Sequence, residues 1–508
     1  MSVAAGESHM VAAAPGEGRR WLALYVLCVG MLMIVLDVTV VNVALPSIQE
    51  DLHFSTSSLA WVVNAYLIAF GGLLLLAGRL GDLIGGRRVF LVGVSLFTGA
   101  SLLCGAAQGA SWLVAARFVQ GVGGAMTSAV ILGMIVTMFP EPREQAKAIG
   151  VFAFVASAGG SVGLLAGGVL TQSINWHWIF FVNLPIGVAT AVAARRLVPD
   201  APGIGLREGA DVPGALLITS ALMLGVYTIV DPAARHGWGA TSTLLLGAGA
   251  ITLVAAFLVR EVCARSPLMP LRIFRSRPIV AANAIQILSV AGMFGMFFLG
   301  ALYLRRVLGY DALHIGLAFL PATIAMGTLS IRYSERLFMA LGARLTLLAG
   351  LTLIVAALAV FALAPVHATY ATQVAPSVLL LGLGAGTAFP ALMNVAMSGA
   401  TQRDAGLASG LVNTTAQVGG ALGLAVLATL STSHSNHLKA TGHSTAAALT
   451  AGYHLAFWVA AALAGCALVV VLAAIEPRPA RAPALADRDD SAVGAHEQQL
   501  PSAEGAGA

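Results

Sequence analysis

Apolar residues in this chain run in long unbroken blocks and show no alternation. Blocks of about 20 recur along nearly its whole length, the number needed to cross a hydrocarbon core about 30 Å thick. Runs such as Leu345 to Ala364 are apolar on every face, which excludes the alternating ten-residue segments of a membrane barrel. The blocks predict helical spans at 21–46, 58–77, 89–107, 112–138, 148–171, 177–198, 212–231, 241–260, 278–302, 312–331, 343–364, 374–398, 405–430 and 452–475, fourteen in all. The first begins behind Arg19 and Arg20 and reaches Pro46 with no small-residue cleavage site, so it is expected to be a retained span. Residues 1–20 and 477–508 are rich in Ala, Pro, Gly and charge and are expected to be cytoplasmic tails without a packed core.

Composition removes the soluble alternatives. Of 508 residues, 58% are hydrophobic and 10% charged, and mean hydropathy is +0.89, against about 25% charged residues in soluble domains. The net charge of +5 sits in short loops between spans, which argues against a nucleic-acid partner. With the N-terminus inside, 22 of the 27 Lys and Arg residues fall on that side. Only Arg235, Arg305, Arg306 and Lys439 fall outside, and Arg117 lies within a span. Such a bias places both termini in the cytoplasm and requires an even number of spans. Cys28, Cys104 and Cys466 lie in apolar spans and Cys263 in a loop, so no disulfide framework is expected. A segment near 431–450 with His434, His437 and His443 reads as a solvated outer loop and not a metal site.

Two blocks of the chain match each other. Arg143, Glu144, Ala146, Ala148, Gly150, Gly159, Gly160, Gly163 and Leu164 reappear 260 positions later as Arg403, Asp404, Gly406, Ala408, Gly410, Gly419, Gly420, Gly423 and Leu424. Gly121, Gly123 and Gly124 align at nearly the same offset with Gly382, Gly384 and Ala385. Equivalent spans are eight apart, so the copies run in the same direction. Six spans, two inserted spans and six spans is the simplest arrangement. It sets a six-helix half at 21–198, an insertion with cytoplasmic linkers at 199–277 and a second half at 278–476. Two parallel halves around a central cavity define the major facilitator fold, whose halves rock to expose that cavity alternately.

An ionisable side chain in hydrocarbon costs at least about 2.5 kcal/mol, so each one needs a reason. Asp37 lies about 13 Å below the outer end of the first span and Arg117 about 8 Å below that of the fourth, at a rise of 1.5 Å per residue. They are expected to meet, with Asn42 and Gln120 as nearby polar partners. Val378 aligns with Arg117 in the second copy, and the ninth span holds no carboxylate, so the pair belongs to one half only. That asymmetry points to proton coupling, because burial and an arginine move a carboxyl's proton affinity in opposite directions.

At these residues the chain resembles the fourteen-span drug:proton antiporters of the major facilitator superfamily. The stretch from Leu36 to Pro46 is similar to that family's first-span motif, and Gly78 to Arg88 to the superfamily's loop motif, with Leu83 and Gly86 where basic residues are common. The resemblance implies a cytoplasmic gate formed by Gly78, Asp82, Gly85, Arg87 and Arg88, with guanidinium partners for Asp82. Arg117, Gln120, Gly121, Gly123 and Gly124 match the fourth-span motif that the family links to proton transfer. Gly159, Gly163, Gly167 and Gly168 match the fifth-span antiporter motif, in which Leu164 replaces the usual proline. Trp176 to Pro185 resembles the opening of the sixth span, with His177 for arginine, and Gln417 and Gly419 match a thirteenth-span motif, with Ala416 for arginine.

The expectation is therefore a proton-coupled exporter of drugs, antibiotics or related small organic molecules, multi-pass in the cell membrane and monomeric. It would need no cofactor beyond the proton motive force. An exporter dedicated to one endogenous metabolite or lipid is the alternative, and a non-transporting membrane sensor a third. Enzyme chemistry and ATP-driven export are not expected, since no nucleophile elbow, metal-ligand cluster or phosphate-binding loop occurs in the sequence.

Overall fold

The structure, a computed structural model, describes residues 17–200, 203–205, 209–399 and 405–476. Arg207, Arg403, Asp404 and the tail segments 1–16 and 477–508 lie outside the described residues. Every regular element among the described residues is helical. In chain order these are α1 (Glu17–Asp51), α2 (Thr56–Ile84), α3 (Gly86–Gly105), α4 (Ala110–Met138), α5 (Pro142–Ser173), α6 (Trp178–Phe181), α7 (Asn183–Leu197), α8 (Val212–Thr228), α9 (Ala234–His236), α10 (Thr241–Cys263), α11 (Arg277–Arg306), α12 (Ala312–Thr328), α13 (Ser334–Phe361), α14 (Ala375–Ser398), α15 (Ala405–Ala440) and α16 (Thr445–Ala474). Thirteen helical stretches are long and apolar enough to cross a membrane, α6 and α7 together forming one of them. The 32-residue α5 comes in addition to these thirteen.

Local chemistry sets the boundaries. Ser55, Asp211, Asp311 and Ser444 accept a first-turn amide with their side chains at the starts of α2, α8, α12 and α16. Proline opens α5, α8, α11 and α14, where a missing N–H is harmless. Gly85, at φ 100°, turns the chain directly from α2 into α3, a conformation in which a Cβ is strained. Several boundaries differ from the sequence reading, α2 running on to Ile84 and α13 starting at Ser334 among them. α1 continues past Pro46 to Asp51. The sixth span is interrupted at Val182. The segment expected as an outer loop is helix as far as Ala440, because hydrogen bonding continues beyond the apolar run, and Ser431 and Ser435 pack against Gly452 of α16.

The sequence repeat is a repeat of packing. α5 lies along α1 as α15 lies along α11, and α4 rests on α2 and α3 as α14 rests on α12 and α13. The matched glycines sit at these contacts. A Cβ on Gly159 would come within 2.9 Å of Leu32 in α1, and one on Gly419 within 2.7 Å of the Ile287 carbonyl in α11. Gly121 and Gly382 likewise press on Tyr66 of α2 and Ala322 of α12, whose carbonyl oxygens leave no room for a Cβ. Between lipid-exposed helices, where no hydrophobic force drives association, small residues at the seam are what let backbones approach. α8 and α10 pack on each other, and α8 rests on α2. The two copies meet where α2 packs on α15, α5 on α12, and α1 on α11.

Candidate functional site

Asp37 and Arg117 meet, as their depths predicted, and both are buried to about 1% exposure. Arg117 Nη1 donates to Asp37 Oδ2 at 2.5 Å and to Gln120 Oε1 at 2.7 Å, while Nε donates to the Val62 carbonyl at 2.9 Å. Gln120, one turn below Arg117 on α4, returns Nε2 to Asp37 Oδ1 at 2.7 Å and to the Ser101 hydroxyl at 2.8 Å. The amide therefore bridges both ions and closes a ring of charge-assisted hydrogen bonds, which are stronger than neutral ones. The guanidinium lies over the Tyr66 ring, 4.4 Å from its centroid, with Phe180 on another side at 5.8 Å. Asn183, beside the break between α6 and α7, reaches Asp37 Oδ1 and Ser101 at 3.4 Å. The sequence reading assigned no role to Ser101 or Asn183; their signal was a polar side chain within an apolar span.

Asn42 does not join this ring. It lies on another face of α1 and bonds back to the Val38 carbonyl at 3.0 Å, and it lines a separate cavity. That cavity, of about 180 Å³, lies between α1 and α5 on one side and α11, α12 and α14 on the other. Its walls are almost wholly apolar, with Phe294, Phe297, Met293 and Met326 among the lining side chains. Above the cavity α5 and α12 come together, with Gly316 of α12 against the Leu164 carbonyl and Gly168 of α5 against Leu313. Gly159, Gly163 and Gly167 face α1 at Leu32, Thr39 and Val40. This antiporter-like stripe thus grips the helix that carries Asp37, while Gly168 faces the other copy. Leu164, in the proline position, is buried and lines the cavity.

The expected gate is arranged differently. Arg87 pairs with Asp200 at 2.9 Å and donates to the Val198 carbonyl at 3.2 Å, instead of meeting Asp82. Asp82 and Arg88 are exposed, and the Asp82 side chain has no hydrogen bond or ion pair among the described residues, although its carbonyl accepts from the Ile204 amide at 3.0 Å. The reason is geometric: Gly85 ends α2 and swings Arg87 toward the end of α7. Gly78 is open to its surroundings, with nothing within 4 Å of a Cβ position. At the opposite end the two copies are tied directly. Arg305 of α11 clasps Glu50 of α1 through Nε and Nη2, both at 3.0 Å.

A buried ion ring beside an apolar cavity between two like-folded helical sets is the construction of a multi-pass membrane transporter. Residues 27–424 match the Major Facilitator Superfamily profile. The chain is 38% identical over 424 residues to a puromycin resistance protein of Streptomyces alboniger, covering 82% of each chain. It is 37% identical over 410 residues to a cephamycin export protein of Amycolatopsis lactamdurans, covering 80% of this chain and 84% of that one. Among solved structures, a bacterial homologue of the lysosomal transporter Spinster, captured inward-facing, superposes with a TM-score of 0.64 at 15% identity, over 92% of this chain and 100% of the other. The chain belongs to the major facilitator superfamily, among its drug-efflux members.

Proposed function

We propose that this protein is a proton-coupled antiporter that exports drugs, antibiotics or similar small organic molecules. The observation that carries the reading is the closed ring of Asp37, Arg117 and Gln120. A fully buried carboxylate whose one charged partner among the described residues is a guanidinium gains a proton when that partner is displaced and loses it when the pair re-forms. Displacement has a route in the geometry, since Gln120 Oε1 already accepts from Arg117 and holds the cation while Asp37 is protonated. In this reading α5 is a fourteenth span, the arrangement is six, two and six, and both termini are cytoplasmic. The boundaries fall at 21–198, 199–277 and 278–476, and the protein works as a monomer.

A second reading is favoured by the two relatives above, whose names each refer to one kind of antibiotic. Under it the protein is dedicated to one endogenous compound. Two measurements separate these readings. Substrate-induced proton movement in proteoliposomes under an imposed pH gradient tests antiport, and its absence with every exported compound would remove the coupling. A susceptibility profile of cells with and without the gene, over dyes, macrolides and aminonucleosides, tests breadth. Protection against one class alone supports the dedicated exporter.

A further inference from the structure

The cavity between the two copies has a chemistry of its own. None of its lining residues ionises, and its polar groups are Thr39, Asn42 and Thr323. Thr39 and Thr323 give their single hydroxyl protons to the carbonyls of Val35 and Leu320, at 2.9 Å and 3.0 Å. Asn42 turns its amide nitrogen to Val38. The wall is therefore left with the Asn42 Oδ1 and hydroxyl lone pairs, one of Thr323's already taken by the Ser161 hydroxyl at 2.8 Å, against one remaining donor, the second Asn42 N–H, so acceptors outnumber donors.

The nearest carboxylate by sequence is out of reach. Val35, Val38, Thr39 and Asn42 fall at the three- and four-residue spacing of one face of α1, whereas Asp37 lies about 200° around the helix from Val35. It faces Arg117, which neutralises it. A cation entering this cavity gives up its hydration and finds no counter-charge, and an anion fares the same. The faces of Phe294 and Phe297 offer a cation only a quadrupole, the weakest among the aromatic side chains.

Building on the export reading, we propose that this cavity selects uncharged aromatic molecules that carry a hydrogen-bond donor and rejects permanent cations. The acceptors on α1 and α12 take the donor, and the α11 aromatics stack on the ring system.

The test uses three dyes sharing one ring skeleton: acridone, which is uncharged and has an N–H; N-methylacridone, uncharged and without it; and N-methylacridinium, permanently positive. Binding to the purified protein is read from their fluorescence. Acridone is expected to bind tightest, N-methylacridone about threefold more weakly for the lost hydrogen bond, and N-methylacridinium at least about tenfold more weakly still. Met326→Glu, nearly isosteric, is expected to restore N-methylacridinium binding, while Met326→Gln is not; should the glutamate variant fail to fold, the wild-type comparison decides. N-methylacridinium binding as tightly as N-methylacridone, or no binding of any of the three, would overturn the proposal. Selective binding of acridone without movement under a pH gradient would overturn the antiport reading and leave the selectivity standing.

Discussion

Replacing Asp37 by asparagine separates what the buried ring does for stability from what it does for coupling. The carboxylate accepts from Arg117 Nη1 at 2.5 Å through one oxygen and from Gln120 Nε2 at 2.7 Å through the other. Asparagine keeps the shape but has one acceptor atom and one amine. Whichever way it is turned, a donor then faces a donor, and the Arg117 cation stays buried without its counter-ion. Breaking a buried pair from one side is strongly destabilising, by about 3–5 kcal/mol. Arg117→Gln alone strands the opposite charge and is expected to destabilise similarly. The double variant removes both charges and restores amide-to-amide hydrogen bonding, so its loss should be well below the sum of the two, with a coupling energy of about 1–3 kcal/mol. Unfolding in mixed micelles measures these terms, and substrate-induced proton movement in proteoliposomes measures coupling. The reasoning requires that the double variant recovers stability and still fails to couple. Proton-coupled transport at the wild-type rate in a folded Asp37→Asn protein would refute it and make the ring purely structural.

Four further outcomes are expected. Gly163→Val drives a side chain into Thr39 and the Leu36 carbonyl and should destabilise by about 1–3 kcal/mol, whereas the same change at Gly78 should leave unfolding unaltered. Glu50→Gln removes a clasp whose partners are 59% and 34% exposed, and at about 1 kcal/mol or less should shift the balance toward opening at that end by no more than about fivefold, read by spin-label distances between α1 and α11. Asp82→Asn should change stability by less than about 0.5 kcal/mol because the side chain is exposed, yet impair transport; wild-type efflux would remove the gate assignment. Reporter fusions within 199–211 and after 480 should be cytoplasmic and one near 236 external, and cytoplasmic signal at 236 would break the six-two-six order.

Much of the fold was legible because lipid leaves the backbone few choices: each span must satisfy its own hydrogen bonds, so apolar length alone marks the helices. The ion pair was legible for the same reason, since a charge in hydrocarbon cannot be incidental. What sequence could not supply is direction around a helix once several neighbours compete. Asn42 was grouped with Asp37 by proximity, but five residues along a helix amount to 140° of rotation, enough to move it from the ring to the cavity. Arg87 was matched to Asp82 through a local motif, while its partner Asp200 is 113 positions away and held at the end of α7 by the fold. The polar extension of α15 to Ala440 was hidden because Ser, Thr and His read as loop when their packing partner, Gly452, belongs to another helix.

The placement of ring and cavity constrains how coupling works, if the proposed antiport holds. Substrate and proton do not share a residue: the cavity touches Val35, Val38, Thr39 and Asn42 of α1, whereas Asp37 faces α4. Direct competition at one carboxylate is therefore excluded in this conformation, and the two ligands must communicate through movement of α1 itself. α1 is suited to that. It is held on one side by the ring, on another by the Gly159, Gly163 and Gly167 seam of α5, and at its end by the Glu50 clasp to α11. Protonating Asp37 loosens the first of these holds, and filling the cavity pushes on the opposite face of the same helix. Both events then bias one element between two arrangements, which is the physical requirement for coupling between separate sites. It follows that substitutions in the α5 glycine seam should alter the number of protons moved per substrate as well as the rate, whereas substitutions of cavity residues on α11 and α12 should alter affinity alone. Measuring that ratio in Gly163→Ala and Phe297→Leu proteoliposomes distinguishes a moving α1 from a fixed one.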